Sequence, residues 1–366
     1  MPKRVIISGG GTGGHIYPAI AIAHALKEQD PSIEILFVGA EGKMEMEKVP
    51  RAGYEIIALP IVGIKRELSP DNLAFPIKLT RSLLKARSVI KQFRPDVAVG
   101  VGGFASGPLL MIASLMGIPT LIQEQNSYAG VTNKILAKRA RTICVAYPGM
   151  EVFFEKSKTK LLGNPVRSDI IHASAKRAEG LKHFGLEAHR KTLFVMGGSL
   201  GARTINESVS AGLKKLSDAG YQVLWQTGKL YINTALEHIQ QARTERIKAY
   251  EFVYEMDLAY AVADVVVSRA GALSVSELCL AAKPAILVPF PAASEDHQTK
   301  NAMSLVRENA ALLVQDANAG RELVETALRL MEDHPKQAEL RKNIQTLARP
   351  EAARDIAREV LKLIQP

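Results

Sequence analysis

Val5-Ile6-Ile7-Ser8 runs into Gly9-Gly10-Gly11-Thr12-Gly13-Gly14-His15, and Leu193-Phe194-Val195-Met196 runs into Gly197-Gly198-Ser199-Leu200-Gly201-Ala202-Arg203. Both stretches join a strand-like run to a helical pattern through glycines. Such a loop suits anion capture: glycine lets backbone approach a phosphate, and the free N–H groups of the following helix point at it. A single loop of this kind equally serves to pack a strand against a helix. Two of them suggest two nucleotide-binding-type units.

A chain of 366 residues suits two domains. With 47% hydrophobic and 23% charged residues it reads as globular, with no disordered or low-complexity stretch. The chain enters a strand almost at once, with no apolar segment of signal-peptide shape. The most apolar helical stretch, Pro108 to Met116, is too short for a bilayer, which takes roughly 20 residues. The expectation is a protein in the cytosol or attached to a membrane from that side. Cys144 and Cys279 sit among apolar neighbours without metal-type spacing, and read as buried thiols. The net charge of +10 invites anionic partners. Nucleic acid fits poorly, because aromatic residues for base stacking are only 5% of the chain.

Strands are expected at Arg4–Ser8, Glu34–Val38, Glu55–Leu59, Asp96–Gly100, Thr120–Ile122 and Thr142–Val145. A second series follows at Leu193–Met196, Gln222–Trp225, Ala249–Val253, Val265–Val267, Ala285–Val288 and Ala311–Val314. Helical patterns between them argue for parallel sheets covered on both faces. Gly163-Asn164-Pro165 and the charged stretch Ser174 to Arg190 read as a hinge and entry segment. The division expected is residues 1–163, residues 164–348 and a final helix in 349–366, able to dock on either half. The fold class is α/β, two doubly wound domains facing across a cleft, with ligands outside the carboxyl ends of the strands.

Two further loops follow strands: Gly100-Val101-Gly102-Gly103-Phe104-Ala105-Ser106-Gly107-Pro108 and Ser268-Arg269-Ala270-Gly271-Ala272-Leu273-Ser274-Val275-Ser276-Glu277. Glu277 lies inside the helix that the second loop opens. A carboxylate there accepts from both hydroxyls of a sugar diol, or merely complements the helix dipole. A dinucleotide dehydrogenase would need G-x-G-x-x-G and an acid at the second strand's tip; here the acid falls at Glu41. No GK[ST] follows any glycine loop. His15 begins the first helix, where the dipole favours the neutral imidazole a general base needs; a solvent-facing cap is the plainer reading. His297 is its rival. There is no D-x-D, and adjacent Glu295-Asp296 point apart, so no metal site is indicated.

Seven motifs in order carry a resemblance: GGGTGGH with Tyr17-Pro18, GVGGFASGP, EQN at Glu124–Asn126 with Gly130-Val131-Thr132-Asn133-Lys134, GNPVR at Gly163–Arg167, GGSLGAR, SRAGALSVSE and DHQTKNA. Together they resemble the MurG family, bacterial UDP-N-acetylglucosamine transferases that complete lipid II for peptidoglycan, and so serve cell-wall synthesis, cell shape and division. The resemblance implies a GT-B glycosyltransferase fold with two Rossmann-like domains. It implies inverting transfer of GlcNAc, without metal or other cofactor, from UDP-GlcNAc to the C4 hydroxyl of the muramyl sugar of lipid I. The alternative is another GT-B enzyme with a different lipid or small-molecule acceptor. By resemblance Ser199 contacts the diphosphate with Arg167 nearby. Ala272, Leu273, Ser274, Val275, Ser276 and Glu277 hold the nucleoside, Glu277 on the ribose. Val253 offers its backbone to uracil. Gln298 and Asn126 bind GlcNAc, with Thr12, Gly13 and Gly14 close to it. Gly11, Gly13, Gly14, Gly102 and Gly103 receive the acceptor diphosphate, and His15 is the base.

A lipid-linked acceptor gives one basic cluster a purpose. Leu73, Phe75, Ile77 and Leu79 lie among Lys65, Arg66, Lys78, Arg81 and Lys85, a pattern suited to an anionic leaflet. Leu83, Leu84 and Val89–Ile90 read instead as the packed side of a helix. The resemblance implies peripheral attachment to the cytoplasmic side of the cell membrane and contact with other cell-wall and division proteins, with no role for nucleic acid.

Overall fold

The computed structural model describes residues 2–61, 75–198 and 200–364. Apolar runs become strands where helices cover both faces, since such a strand has no solvent side. The chain begins β1 (Arg4–Gly9), α1 (Gly13–Gln29), β2 (Glu34–Ala40), α2 (Glu45–Arg51), β3 (Glu55–Leu59) and α3 (Phe75–Phe93). It continues β4 (Val97–Gly102), α4 (Ser106–Leu115), β5 (Thr120–Glu124), α5 (Val131–Ala137), β6 (Thr142–Val145) and β7 (Thr159–Leu161). After α6 (Arg177–Phe184) come β8 (Thr192–Met196), α7 (Arg203–Asp218), β9 (Gln222–Gln226), α8 (Ile232–Gln241), β10 (Ile247–Tyr250) and α9 (Met256–Val262). The last elements are β11 (Val265–Ser268), α10 (Ala272–Ala281), β12 (Ala285–Leu287), α11 (His297–Val306), β13 (Leu312–Leu313), α12 (Ala319–Glu332), α13 (His334–Thr346) and α14 (Ala352–Ile364).

The chain divides into one unit of Met1–Val166 with Glu351–Pro366, and a second of Arg167–Pro350. The first sheet has the order β3-β2-β1-β4-β5-β6-β7 and the second β10-β9-β8-β11-β12-β13. All pairings are parallel. In each sheet the chain starts in the middle, builds outward one way, then returns to build the other way. The reversal falls between β1 and β4, and between β8 and β11. At such a switch point the loops leaving neighbouring strands diverge to opposite faces and leave a crevice. All four glycine-bearing loops leave those four strands. Helix α14 packs its buried Ile356, Ala357 and Val360 into the core that α1 shares with β1 and β4.

Several expectations need correcting. Strand β10 lies two to three residues before its expected place, because Phe252-Val253 drew the reading forward. Strand β7 was not anticipated: it is a half-exposed edge strand without an apolar run. Ser174 to Arg190 is not a hinge. It holds the end of a 3-10 helix (Ser168–Lys176) and all of α6, packed on α9, with Phe184 buried and Arg177 donating to the Val262 carbonyl. Of the basic-apolar cluster, Lys65, Arg66 and Leu73 lie outside the described residues. Phe75 and Leu79 pack against the core of the first unit, whereas Leu84 stands 63% and Ile77 59% exposed. The helical turn decides this: Phe75, Leu79, Ala86 and Ile90 fall on the inward face, and Leu84 does not. Both cysteines are buried free thiols, one in each unit.

Candidate active site

In the first unit two loops meet as backbone on backbone. A Cβ on Gly103 would lie 2.4 Å from the Gly10 carbonyl oxygen, and Gly103 has φ +89°. The Gly10 N–H donates to the Gly102 carbonyl at 3.3 Å. Ser106 fastens the same corner, its buried hydroxyl 3.0 Å from the Ser8 and 2.9 Å from the Gly102 carbonyl. Thr12 is the N-cap of α1 without a side-chain cap bond, so the N–H groups of Gly13 and Gly14 open the helix where no carbonyl four residues back can accept from them.

Gly11 differs. Its N–H donates at 2.9 Å to Oε2 of Glu45, and Oε1 of the same carboxylate accepts from the Ala40 N–H at 3.0 Å. Glu45 is completely buried. A Cβ on Gly10 would fall 2.1 Å from it, and one on Gly39 2.5 Å. The Gly11 N–H expected to receive the acceptor diphosphate is thus already committed. Each such bond to a charged group contributes about 1.5–3 kcal/mol. No motif marks Glu45 in the sequence, because an acid in a first helical turn reads as dipole complement.

His15 is half-buried, with Nδ1 3.1 Å from the Gly10 carbonyl oxygen and 3.4 Å from the Thr12 hydroxyl. A carbonyl only accepts, so Nδ1 carries the hydrogen and Nε2 the lone pair. A Cβ on Gly102 would lie 2.8 Å from Nε2, which gives the glycine there a reason beyond its φ of +102°. Asn126 is held by Glu124, whose Oε1 accepts from the Asn126 N–H at 3.1 Å. Oε2 of that buried acid takes Gly130 N–H at 3.0 Å and Asn133 Nδ2 at 2.8 Å. One carboxylate therefore shapes the whole loop from β5 to α5.

In the second unit Ser199 lies outside the described residues. Its loop is anchored by buried Gln226, which donates from Nε2 to the Gly198 carbonyl at 3.0 Å and accepts the Val253 N–H on Oε1 at 3.0 Å. Val253 then has only its carbonyl to offer a base. Val275 is turned into the core with its N–H on the Gly271 carbonyl. Ser276 spends its hydroxyl hydrogen on the Ala272 carbonyl, 3.0 Å away. Ala272, Leu273 and Ser274 form the first turn of α10 behind the N-cap Gly271. Glu277 accepts from the Tyr260 hydroxyl at 3.1 Å, and burial pushes its carboxyl up to about 7 against the opposing pull of that bond and of Arg167. Arg167 pairs with Asp169 and donates to the Tyr254 carbonyl at 3.2 Å. Gln298 accepts the Phe290 N–H on Oε1 at 3.0 Å, which leaves the two N–H groups of Nε2 as donors. Arg269, paired with Asp316 and donating to the Val288 and Pro289 carbonyls, braces the loops after β11 and β12. Sequence reasoning missed Glu45, Gln226 and Tyr260.

The chain matches the Glycosyltransferase family 28 N-terminal domain over residues 5–145 and the C-terminal domain of that family over residues 192–358. A Cytophaga hutchinsonii protein named UDP-N-acetylglucosamine--N-acetylmuramyl-(pentapeptide) pyrophosphoryl-undecaprenol N-acetylglucosamine transferase is 57% identical, over 99% of this chain and 97% of that protein. Its namesake in Bacteroides fragilis is 54% identical, over 99% of this chain and 96% of its own. Among solved structures, Acinetobacter baumannii MurG superposes with a TM-score of 0.80 at 28% identity, over 99% of this chain and 100% of that one. A UDP-GlcNAc 2-epimerase from Neisseria meningitidis has a TM-score of 0.69 at 14% identity, over 99% of this chain and 100% of that one, a likeness of fold alone.

The raised Glu277 carboxyl makes a prediction about stability. An acid that holds its proton more tightly folded than unfolded stabilises the fold below its unfolded value of 4.5, and that contribution is lost as pH rises through about 7. Glu277→Gln keeps the shape without the charge. At about pH 8 it is expected to stabilise the second unit by on the order of 2 kcal/mol, and at about pH 4 to change little. Denaturant unfolding followed by the fluorescence of Trp225, the single tryptophan of the chain and buried in that unit, reads the difference. Equal midpoints for variant and native chain at the higher pH would contradict it.

Proposed function

The chain belongs to glycosyltransferase family 28, among its UDP-GlcNAc-dependent transferases of peptidoglycan synthesis, and from that premise we propose how its residues divide the reaction. It has the GT-B fold and transfers GlcNAc from UDP-GlcNAc to lipid I. The observation that carries the assignment of roles is the repeated placement of a glycine loop and a helix N-terminus at the switch point of each sheet. A reaction between two diphosphate-bearing substrates needs two such seats.

In this reading the second unit holds the donor. The carbonyl of Val253 accepts from uracil, Glu277 takes the ribose hydroxyls, and the N-termini of α7 and α10 with Ser199 and Arg167 face the diphosphate. Gln298 binds GlcNAc from this unit. The first unit receives the lipid I diphosphate on the N–H groups of Gly13 and Gly14 beside Gly102 and Gly103. His15 Nε2 takes the proton of the acceptor's C4 hydroxyl as that oxygen bonds to the anomeric carbon. The bond from that carbon to UDP breaks with its electron pair, and configuration inverts. Charge on the leaving group is met by helix N-termini and Arg167, so no metal is called for.

Membrane contact is assigned to α3, α4 and α5, each packed on the next. Ile77, Leu84, Leu115 and Ile135 are all more than half exposed on these helices, near Lys78, Arg81, Lys85 and Lys138. No helix among the described residues is long and apolar enough to cross a membrane. Each cation near an anionic surface adds about 1 kcal/mol, and each aliphatic side chain buried there about 1.5–3 kcal/mol at most. Several such terms give attachment that salt reverses.

Two outcomes follow. His15→Ala is expected to lower kcat for transfer to lipid I by roughly 10²–10⁴-fold with little change in UDP-GlcNAc affinity; native turnover at saturating substrates would make His15 a cap. In co-sedimentation with anionic vesicles, a variant carrying Ile77→Ser, Leu84→Ser and Arg81→Glu is expected to stay in the supernatant where the native chain pellets. Equal pelleting at low and moderate salt would put the membrane face elsewhere.

A further inference from the structure

The peptide group between Gly10 and Gly11 is bonded at both ends. Its N–H donates to Glu45 and its C=O accepts from His15 Nδ1. We infer that Glu45 is a positioning residue for the transfer, acting on His15 through this single amide. The inference rests on the reading of His15 as the base.

The chemistry follows from hydrogen-bond polarisation. A carboxylate that accepts an amide N–H pushes electron density toward the carbonyl oxygen of the same amide, which then accepts more strongly. The stronger acceptor fixes the Nδ1–H tautomer of His15 and stabilises the imidazolium formed when Nε2 takes a proton. Glu45 thus does through one peptide group what an adjacent acid does directly in a carboxylate–histidine pair. Two features show that the arrangement is built. Both carboxylate oxygens are used as acceptors, which a carboxamide cannot reproduce. Gly10 and Gly39 leave the room that Glu45 occupies.

On α2, Glu47 lies against Lys48 and Arg51. Strand β4 and helix α4 contribute no titratable side chain, and β1 contributes only Arg4, at its far end and paired with Glu34. On helix α14, Arg354 faces Glu28, about 20 Å along α1 from His15 at 1.5 Å per residue, Arg358 pairs with Asp355, and Glu359 pairs with Lys160 and Lys362.

Histidine-labelled protein, with the His15 signals assigned by His15→Ala, allows the coupling to be read without turnover. In the native chain the imidazole nitrogens are expected to report the Nδ1–H tautomer. In Glu45→Gln the His15 titration midpoint is expected to fall by about half a pH unit or more, the size of one charge at this separation in a partly shielded site. Glu45→Asp, which keeps the charge, should restore most of the shift and covers the case in which the glutamine variant folds poorly. In transfer assays Glu45→Gln is expected to lower the kcat plateau about tenfold or more, as a weaker base does, and to move its acid limb to lower pH. KM for UDP-GlcNAc should stay within about twofold. A His15 titration identical in native and Glu45→Gln protein would overturn the inference and leave Glu45 as loop scaffolding. A shifted titration together with undiminished turnover in His15→Ala would uphold the coupling and remove His15 as the base.

Discussion

Backbone lies directly on backbone where the strand order of the first sheet reverses, and the rest of the site is arranged around that contact. Gly103 approaches Gly10 so closely that a Cβ on it would strike the Gly10 backbone, and the side-chain space at Gly10 is taken by Glu45. Parallel strands make the contact available, because the loops after β1 and β4 leave adjacent strands at the same sheet edge. Once the loops touch, the first turn of α1, the imidazole of His15 and the glycine at position 102 have little freedom left. Precision at the chemistry therefore comes from sheet topology and glycine rather than from long side chains. The second unit repeats the principle: a Cβ on Gly201 would lie 2.1 Å from the Thr227 carbonyl oxygen, so the loop after β8 is seated on the end of β9.

Buried polar side chains are the second tier. Glu45, Glu124 and Gln226 each sit inside the protein and each accept from or donate to two backbone groups: Glu45 ties the loop after β1 to the end of β2, Gln226 ties the loops after β8 and β10, and Glu124 holds two points of the loop after β5. A buried carboxylate is costly unless its oxygens are satisfied. Here the satisfaction is supplied by the loops themselves, so the loop geometry and the acid's burial stabilise each other. Glu277 differs: it accepts from the Tyr260 hydroxyl, and burial pushes its carboxyl up to about 7.

Much of the fold was legible because parallel strands leave an unmistakable mark. Runs such as Val5-Ile6-Ile7 and Val265-Val266-Val267, with glycine immediately beyond, have few other readings. The edges were not. Thr159-Lys160-Leu161 is half-exposed and carries no apolar signal, and α6 was hidden because its solvent face is almost all charge while Phe184 alone is large and buried. The polar anchors were invisible for a different reason. Glu45 bonds Gly11 across 34 residues and Gln226 bonds Gly198 across 28, and no local pattern reports a partner that is a distant backbone amide. For the same reason nothing in the sequence shows that the N–H groups of Val253 and Gly11 are already engaged within the protein. Phe75 and Leu79 show the limit of composition: an apolar residue among lysines says nothing about which side of the helix it occupies until the core is in place.

The central claim is that each unit seats one diphosphate at its own switch point. Amide chemical shifts of deuterated protein, followed as each substrate is added alone, test it most directly. UDP-GlcNAc is expected to move the amides of Ala202 to Thr204 and of Ala272 to Ser274 most, and those of Gly102 and Gly103 least. A short-chain lipid I analogue is expected to do the reverse, moving Gly13, Gly14, Gly102 and Gly103. Donor-induced shifts confined to the loop after β1, or an acceptor that perturbs only the second unit, would contradict the account.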